Sequence, residues 1–264
     1  MIKRYIFIIL YLISFNIYAF EDKIIVASTT STYDTGLLSY LNNVFQNNYD
    51  IDVQVLAVGT GQAIRIAKDG NVEILLVHHK ESELEFMNQG FGIERYDLMY
   101  NEYIVAGPKD DNIPCVDINL KLSEIFKNNY TFISRGDDSG THKKELELWQ
   151  SINKNPTTFG LWYLNIGQGM GHTLLIANEK KAYTLTDKST WISFNNKDNL
   201  KIVCEAFPPL FNQYGLILVN PSINKDLNIK SASKYVEWLL SDEAKNLINS
   251  FKKKDKQLFF YNHH

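Results

Sequence analysis

Three short polar segments carry the residue types that could hold a negatively charged group. The first is STTSTYDTG (28–36), five consecutive hydroxyl residues between an apolar run and a helical pattern. One Ser or Thr suffices to cap a helix N-terminus. Five exceed that need, which leaves hydroxyls such as Thr30 and Ser31 free to serve a ligand. The second is VGTGQAI (58–64), where Gly59 and Gly61 remove side chains and Thr60 adds a hydroxyl at a helix start. Free N–H groups and the macrodipole favour negative charge there. A tight strand-to-helix turn accounts for the same glycines, and the phosphate-cradling G-x-x-x-x-G-K-[ST] pattern is absent. The third is SRGDDSGTHKKE (134–145), in which the permanently charged Arg135 precedes Ser139, Gly140 and Thr141 at another helix start. Asp137 and Asp138 also suit capping. Together the three segments describe a cage rich in donors and poor in full charges. Such a cage suits an unprotonated dianion such as tungstate, molybdate or sulfate. Phosphate keeps a proton near neutral pH and would gain from an acceptor, which Asp137 or Asp138 could supply.

The elements that must present these loops follow an α/β order. KIIVAS (23–28), IDVQVLAVG (51–59) and VEILLVH (72–78) read as strands. Between them lie a helix from about Asp34 and a helical GQAIRIAKDG, with a further helix at 81–89 stopped by Gly90. This βαβαβ order predicts a layered fold with a mainly parallel sheet. A second unit follows: helix 120–128, strand 130–134, helix 141–152, a Gly-rich turn IGQGMG (166–171), helix 172–179, strand 182–187 and a strand-rich run 202–220. A last helix spans 232–251, and KKKDKQ reads as a solvated charge run. Two extended crossings, near 103–109 and 211–219, predict two β/α lobes: 20–106 with 212–264, and 107–211. Clefts at strand carboxyl ends and lobe boundaries are where ligands bind.

Composition narrows the partners. The 264 residues carry a formal charge of −3, so no basic excess exists to neutralise nucleic acid. Lys3 and Arg4 precede an apolar stretch, Tyr5 to Tyr18, that ends at Ala19. This predicts a secretory signal peptide over 1–19 and a periplasmic mature protein. The competing reading, a membrane anchor, meets a short run broken by Ser14 and Asn16. Removing Lys3 and Arg4 with no acidic residue takes the net charge from −3 to −5. A secreted hydrolase using Ser31 or Ser139 finds no G-x-S-x-G elbow and no His placed to activate either serine. His78 and His79, after a buried strand, read as a polar cap, because no carboxylate cluster has the spacing of a metal site. His263 and His264 are expected to be disordered.

The strings TTSTYDTGLL, VGTGQA, LLVHH, SRGDDSGTHKKELELW, WYLNIGQGMGHTLLIANEK with AYTLTD, and LFNQYGLILVNP run in order from about residue 24 to 221. This series resembles the tungstate-binding proteins of Tup-type ABC transporters. The resemblance implies a type II periplasmic-binding-protein fold and a tetrahedral oxyanion, tungstate or molybdate, held between two lobes. It implies Thr30, Ser31, Thr60, Arg135, Ser139 and Thr141 as the ligand residues, with no cofactor and no catalysis. It also implies a monomer that serves an inner-membrane permease. GQGMG (167–171) either lines the cleft or only allows close packing, and stays outside this set. If the two crossings run antiparallel with Gly107 near Gln213, Cys115 approaches Cys204 closely enough for a disulfide.

Overall fold

The computed structural model describes residues 22–264, so the expected signal peptide lies outside the described residues. β1 (Asp22–Thr29), α1 (Thr30–Asp34), α2 (Leu37–Tyr49), β2 (Ile51–Val58), α3 (Thr60–Lys68), β3 (Ile74–Val77) and α4 (Lys80–Asn88) build the opening layer. β4 (Gly92–Pro108) then runs for 17 residues. The middle of the chain forms α5 (Ile118–Lys127), β5 (Phe132–Ser134), α6 (Gly140–Ser151), β6 (Tyr163–Asn165), α7 (Met170–Lys180), β7 (Thr184–Asp187), α8 (Lys188–Ser193) and β8 (Leu200–Cys204). β9 (Phe211–Val219), α9 (Ile229–Leu239), α10 (Asp242–Ser250), β10 (Lys252–Lys253), β11 (Lys256–Gln257) and β12 (Phe260–Tyr261) complete it.

The main sheet has the order β12-β4-β9-β3-β1-β2, with β7 and β8 joined to β4. β1 pairs in parallel with β2 and β3, as the alternating order requires. The expectation of a mainly parallel sheet is nonetheless wrong. β9 pairs antiparallel with both β3 and β4, and β7, β8 and β12 pair antiparallel with β4. The cause is β4 itself. Its residues 92–102 pair with β9, then Tyr103 to Pro108 pair with β7 and β8. One strand therefore belongs to two sheets, and it changes sheet between Glu102 and Tyr103, four residues before the expected break at 106/107. The register guess also fails, since Gln213 faces Tyr100 and Gly107 faces Lys201.

Two hydrophobic cores follow this division. One is built on Ile24, Leu41, Phe45, Leu76, Tyr214, Tyr235 and Phe259 and continues under α3 and α4. The other is built on Val105, Ile125, Phe132, Trp149 and Leu185, with Ile133 and Leu174 on its second face. Cys115 and Cys204 form a disulfide within the second, with Cα atoms 5.2 Å apart. The last helix is two: Ser241 accepts a hydrogen bond from Ala244 N and starts α10 afresh. The charged tail is ordered too. β10 and β11 form a hairpin, β12 joins β4, and His263 meets Tyr96 edge-on. The apolar Leu258 and Phe259 are buried beside the lysines and tie the segment down. No helix among the described residues is long and apolar enough to cross a membrane.

Candidate anion-binding site

Side-by-side strands put the polar loops together. Thr29 and Val58 end the neighbouring parallel strands β1 and β2, so α1 and α3 start next to each other. Ser134 and Asn165 likewise end β5 and β6, which places Arg135 beside Ile166. Each loop therefore lies at a strand carboxyl end, where α/β sheets hold ligands.

The five hydroxyls of the first loop divide by hydrogen bonding. Ser28 Oγ donates to Leu76 O (2.8 Å), and Thr29 Oγ1 caps α1 by accepting from Thr32 N (3.4 Å) and pairs with Thr32 Oγ1 (2.7 Å). Thr30, and Ser31 whose Oγ lies 3.3 Å from Thr29 Oγ1, line a cavity of about 610 Å³.

The second and third loops meet directly. Thr60, wholly buried, accepts a hydrogen bond on Oγ1 from Gly140 N (3.1 Å). Gly61 N donates to Asp138 O (3.2 Å). Arg135 is 3% exposed, and its Nε and Nη2 both donate to Asp137 Oδ2 (3.2 and 2.6 Å). Its Nη1 has no protein acceptor among the described residues. Gly136 follows at φ +60°, a left-handed turn that an L side chain would strain. Ser139 Oγ caps α6 by accepting from His142 N (3.2 Å). Thr141 Oγ1 is buried without a partner, the condition of a donor waiting for an acceptor. Asp138 turns outward to Arg65 and Lys143 (3.3 and 3.1 Å). Burial opposes its charge, but these two cations hold the carboxyl below its ordinary range.

The six expected residues thus fall into two adjoining groups. Thr60, Arg135, Ser139 and Thr141 are buried around the starts of α3 and α6, while Thr30 and Ser31 face the cavity. The cavity also takes in Asp34, Gly169, Met170, Gly171 and Lys253. Burial raises the pKa of the Asp34 carboxyl against the pull of Lys253 and Arg135. Gly169 and Gly171 have open space where a Cβ would lie, and Gly169 gives α7 no side-chain cap. Backbone donors of the first turn of α7 are therefore accessible from the cavity. The expected ligand set leaves GQGMG out, whereas the structure puts Gly169, Met170 and Gly171 on the cavity wall. The available signal was a third glycine-flanked helix start, of the same kind as VGTGQA.

A buried polar network lies where β4 changes sheet. Asn212 Nδ2 donates to Asn101 Oδ1 (2.6 Å), Asn101 Nδ2 to Ser189 Oγ (3.1 Å), and Ser189 to Asp187. His78 Nδ1 meets Tyr103 Oη at 3.0 Å. Burial lowers the His78 pKa to about 4, against the pull of Asp187, so the ring is neutral at pH 7. His79 caps α4, accepting from Ser82 N at Nδ1 (3.2 Å), as a polar cap should.

The PBP superfamily domain model matches residues 18–243. The tungstate-binding protein TupA of Peptoclostridium acidaminophilum is 45% identical over 238 residues, 88% of this chain and 82% of that protein. Its namesake in Campylobacter jejuni is 41% identical over 87% of both chains. The solved TupA structure from Desulfovibrio alaskensis G20 is 39% identical, covers 92% of this chain and all of its own, and has a TM-score of 0.79. A solved phosphate-bound substrate-binding protein of a putative phosphate ABC transporter from Clostridium perfringens, 12% identical with a TM-score of 0.67, shares the fold alone.

Proposed function

Because this chain belongs to the PBP superfamily and, within it, to the TupA family of tungstate-binding proteins, we propose that it captures tungstate and delivers it to an ABC-transporter permease. It is a binding protein, not an enzyme. On this reading it works in the periplasm as a monomer after loss of residues 1–19. The segments 20–106 with 212–264, and 107–211, act as two lobes that close on the anion, with the break in β4 adjusted to Glu102/Tyr103. Thr30, Ser31, Thr60, Arg135, Ser139 and Thr141 supply the donors, and the first turn of α7 adds backbone N–H groups.

The observation that carries the proposal is a buried arginine on the same loop as a partnerless buried hydroxyl, Thr141 Oγ1, at the start of a 12-residue helix. A dianion satisfies both and gains from the helix N-terminus. Asp137 is engaged by Arg135 and Asp138 by Arg65 and Lys143, so the carboxyl left facing the cavity is Asp34. Calorimetry with tungstate, molybdate, sulfate and phosphate tests this on the wild type and on Arg135→Ala. Tungstate should bind most tightly, and the variant should lose about 2–5 kcal/mol of binding. Unchanged affinity would remove Arg135 from the site, and phosphate binding more tightly than tungstate would overturn the choice of anion.

A further inference from the structure

We propose that His79, Glu81 and Glu147 form a divalent-cation site of the zinc class, apart from the anion cavity. A ligand atom from each of the three lies within 4.8 Å of the others. Tetrahedral zinc, with bonds of about 2.0–2.2 Å, holds its ligands roughly 3.4 Å apart. Small side-chain rotations reach that spacing, and His79 Nε2 is already 3.0 Å from Glu147 Oε1. The residues line a cavity of about 420 Å³, which leaves room for water in the fourth position. His79 and Glu147 are 68 positions apart, on α4 and α6, so only the fold creates the cluster that sequence spacing lacked.

Ser82 holds the imidazole on its Nδ1 side. Its backbone N–H donates to Nδ1 (3.2 Å), and its Oγ lies 2.7 Å from the same nitrogen. In the metal-free ring Nδ1 accepts, so Nε2 carries the proton and donates to Glu147. A cation on Nε2 requires the other tautomer. The proton moves through solvent from Nε2 to Nδ1, where Ser82 Oγ accepts it, the Ser82 backbone N–H gives up its bond to Nδ1, and no proton is released. Ser82 is then the outer partner that fixes a metal-bound histidine. Two lysines share the cavity, Lys144 on Glu147 Oε2 (3.1 Å) and Lys80 on Asp97 (3.3 Å). They leave Glu147 Oε1 and Glu81 to the cation. The Lys144 contact is partly exposed, the kind of pair whose loss costs little.

A cation here would tie the start of α4 to α6, six residues after Thr141. On the two-lobe reading proposed above, it favours the closed arrangement, and cation and anion then raise each other's affinity by the same factor.

Calorimetry with zinc chloride on the mature protein tests the site in the wild type, Glu147→Gln, Ser82→Ala and the double variant His263→Ala/His264→Ala. One zinc should bind per wild-type chain. Ser82→Ala should weaken binding roughly 10–100-fold, and Glu147→Gln at least as much. The terminal-histidine variant should match the wild type. Nitrogen NMR of the His79 ring should show the proton on Nδ1 once zinc is bound. The proposal fails if the wild type binds no zinc below millimolar concentration, if Glu147→Gln binds as the wild type does, or if only the terminal-histidine variant loses binding. Tungstate titrated without zinc reports the anion site independently.

Discussion

At the scale of single residues, one buried acid sets a measurable pH dependence. Glu145 lies one turn beyond Thr141 and accepts from Tyr163 Oη (2.5 Å) and Trp149 Nε1 (3.3 Å). Burial lifts its carboxyl from 4.5 to about 7, despite these donors. The folded state therefore holds a proton that the unfolded chain has released. The contribution is present below pH 4.5 and lost as pH rises through about 7. It amounts to about 3 kcal/mol. Glu145→Gln keeps the shape and the acceptor, so it should melt several degrees above wild type at pH 8, with the gain fading near pH 5. Equal gains at both pH values would show that the carboxyl is not the cause. His78 runs oppositely: its contribution is present above pH 6.5 and disappears as pH falls through about 4. Of this scale the sequence disclosed the donors but not their division. Ser28 to Thr32 look alike in a string, and only the fold turns Ser28 to Leu76 O, gives Thr29 to the cap of α1 and brings Thr30 and Ser31 to the cavity wall.

Among elements, the critical approach is that of α6 to the end of β3. A Cβ on Gly140 would sit 2.6 Å from His78 Cε1 and 3.0 Å from its backbone O. Gly140→Ala should thus wedge α6 away from β3 and strain the Thr60–Gly140 hydrogen bond. An overpacking cost of about 1–3 kcal/mol predicts tungstate binding weakened by roughly one to two powers of ten. Calorimetry would measure it, with circular dichroism confirming an intact fold. Wild-type affinity in this variant would mean that the contact plays no part in binding. A second expectation concerns α1. Asp34→Asn removes a negative charge from the cavity, so tungstate affinity should rise several-fold, most clearly at low salt. Most helices and the parallel strands were legible because their apolar periodicity is clean. The long β4 was not. Its first ten residues, Gly92 to Asn101, alternate weakly, and pairing with β9 rather than local propensity makes them a strand.

For the molecule as a whole, the cysteine pair was legible as a partnership but not as a register. Cys204 ends β8, which pairs with β4, whereas the sequence argument had placed β9 there. The bridge closes 89 residues of chain, and replacing both cysteines by serine should cost about 2–5 kcal/mol. Melting should fall by roughly 5–15 °C, and the reduced wild type should behave like the variant. No change on reduction would show that the bridge does not form in solution, as thiol labelling with mass measurement would confirm independently. β4 has a further consequence. It threads both sheets without a break in the chain trace, and its partner β9 runs beside it as far as the point of exchange. Any parting of the two halves must flex hydrogen-bonded ribbon, not swing a slack tether. The strand pairing of β4 thus couples the two sheets mechanically as well as covalently.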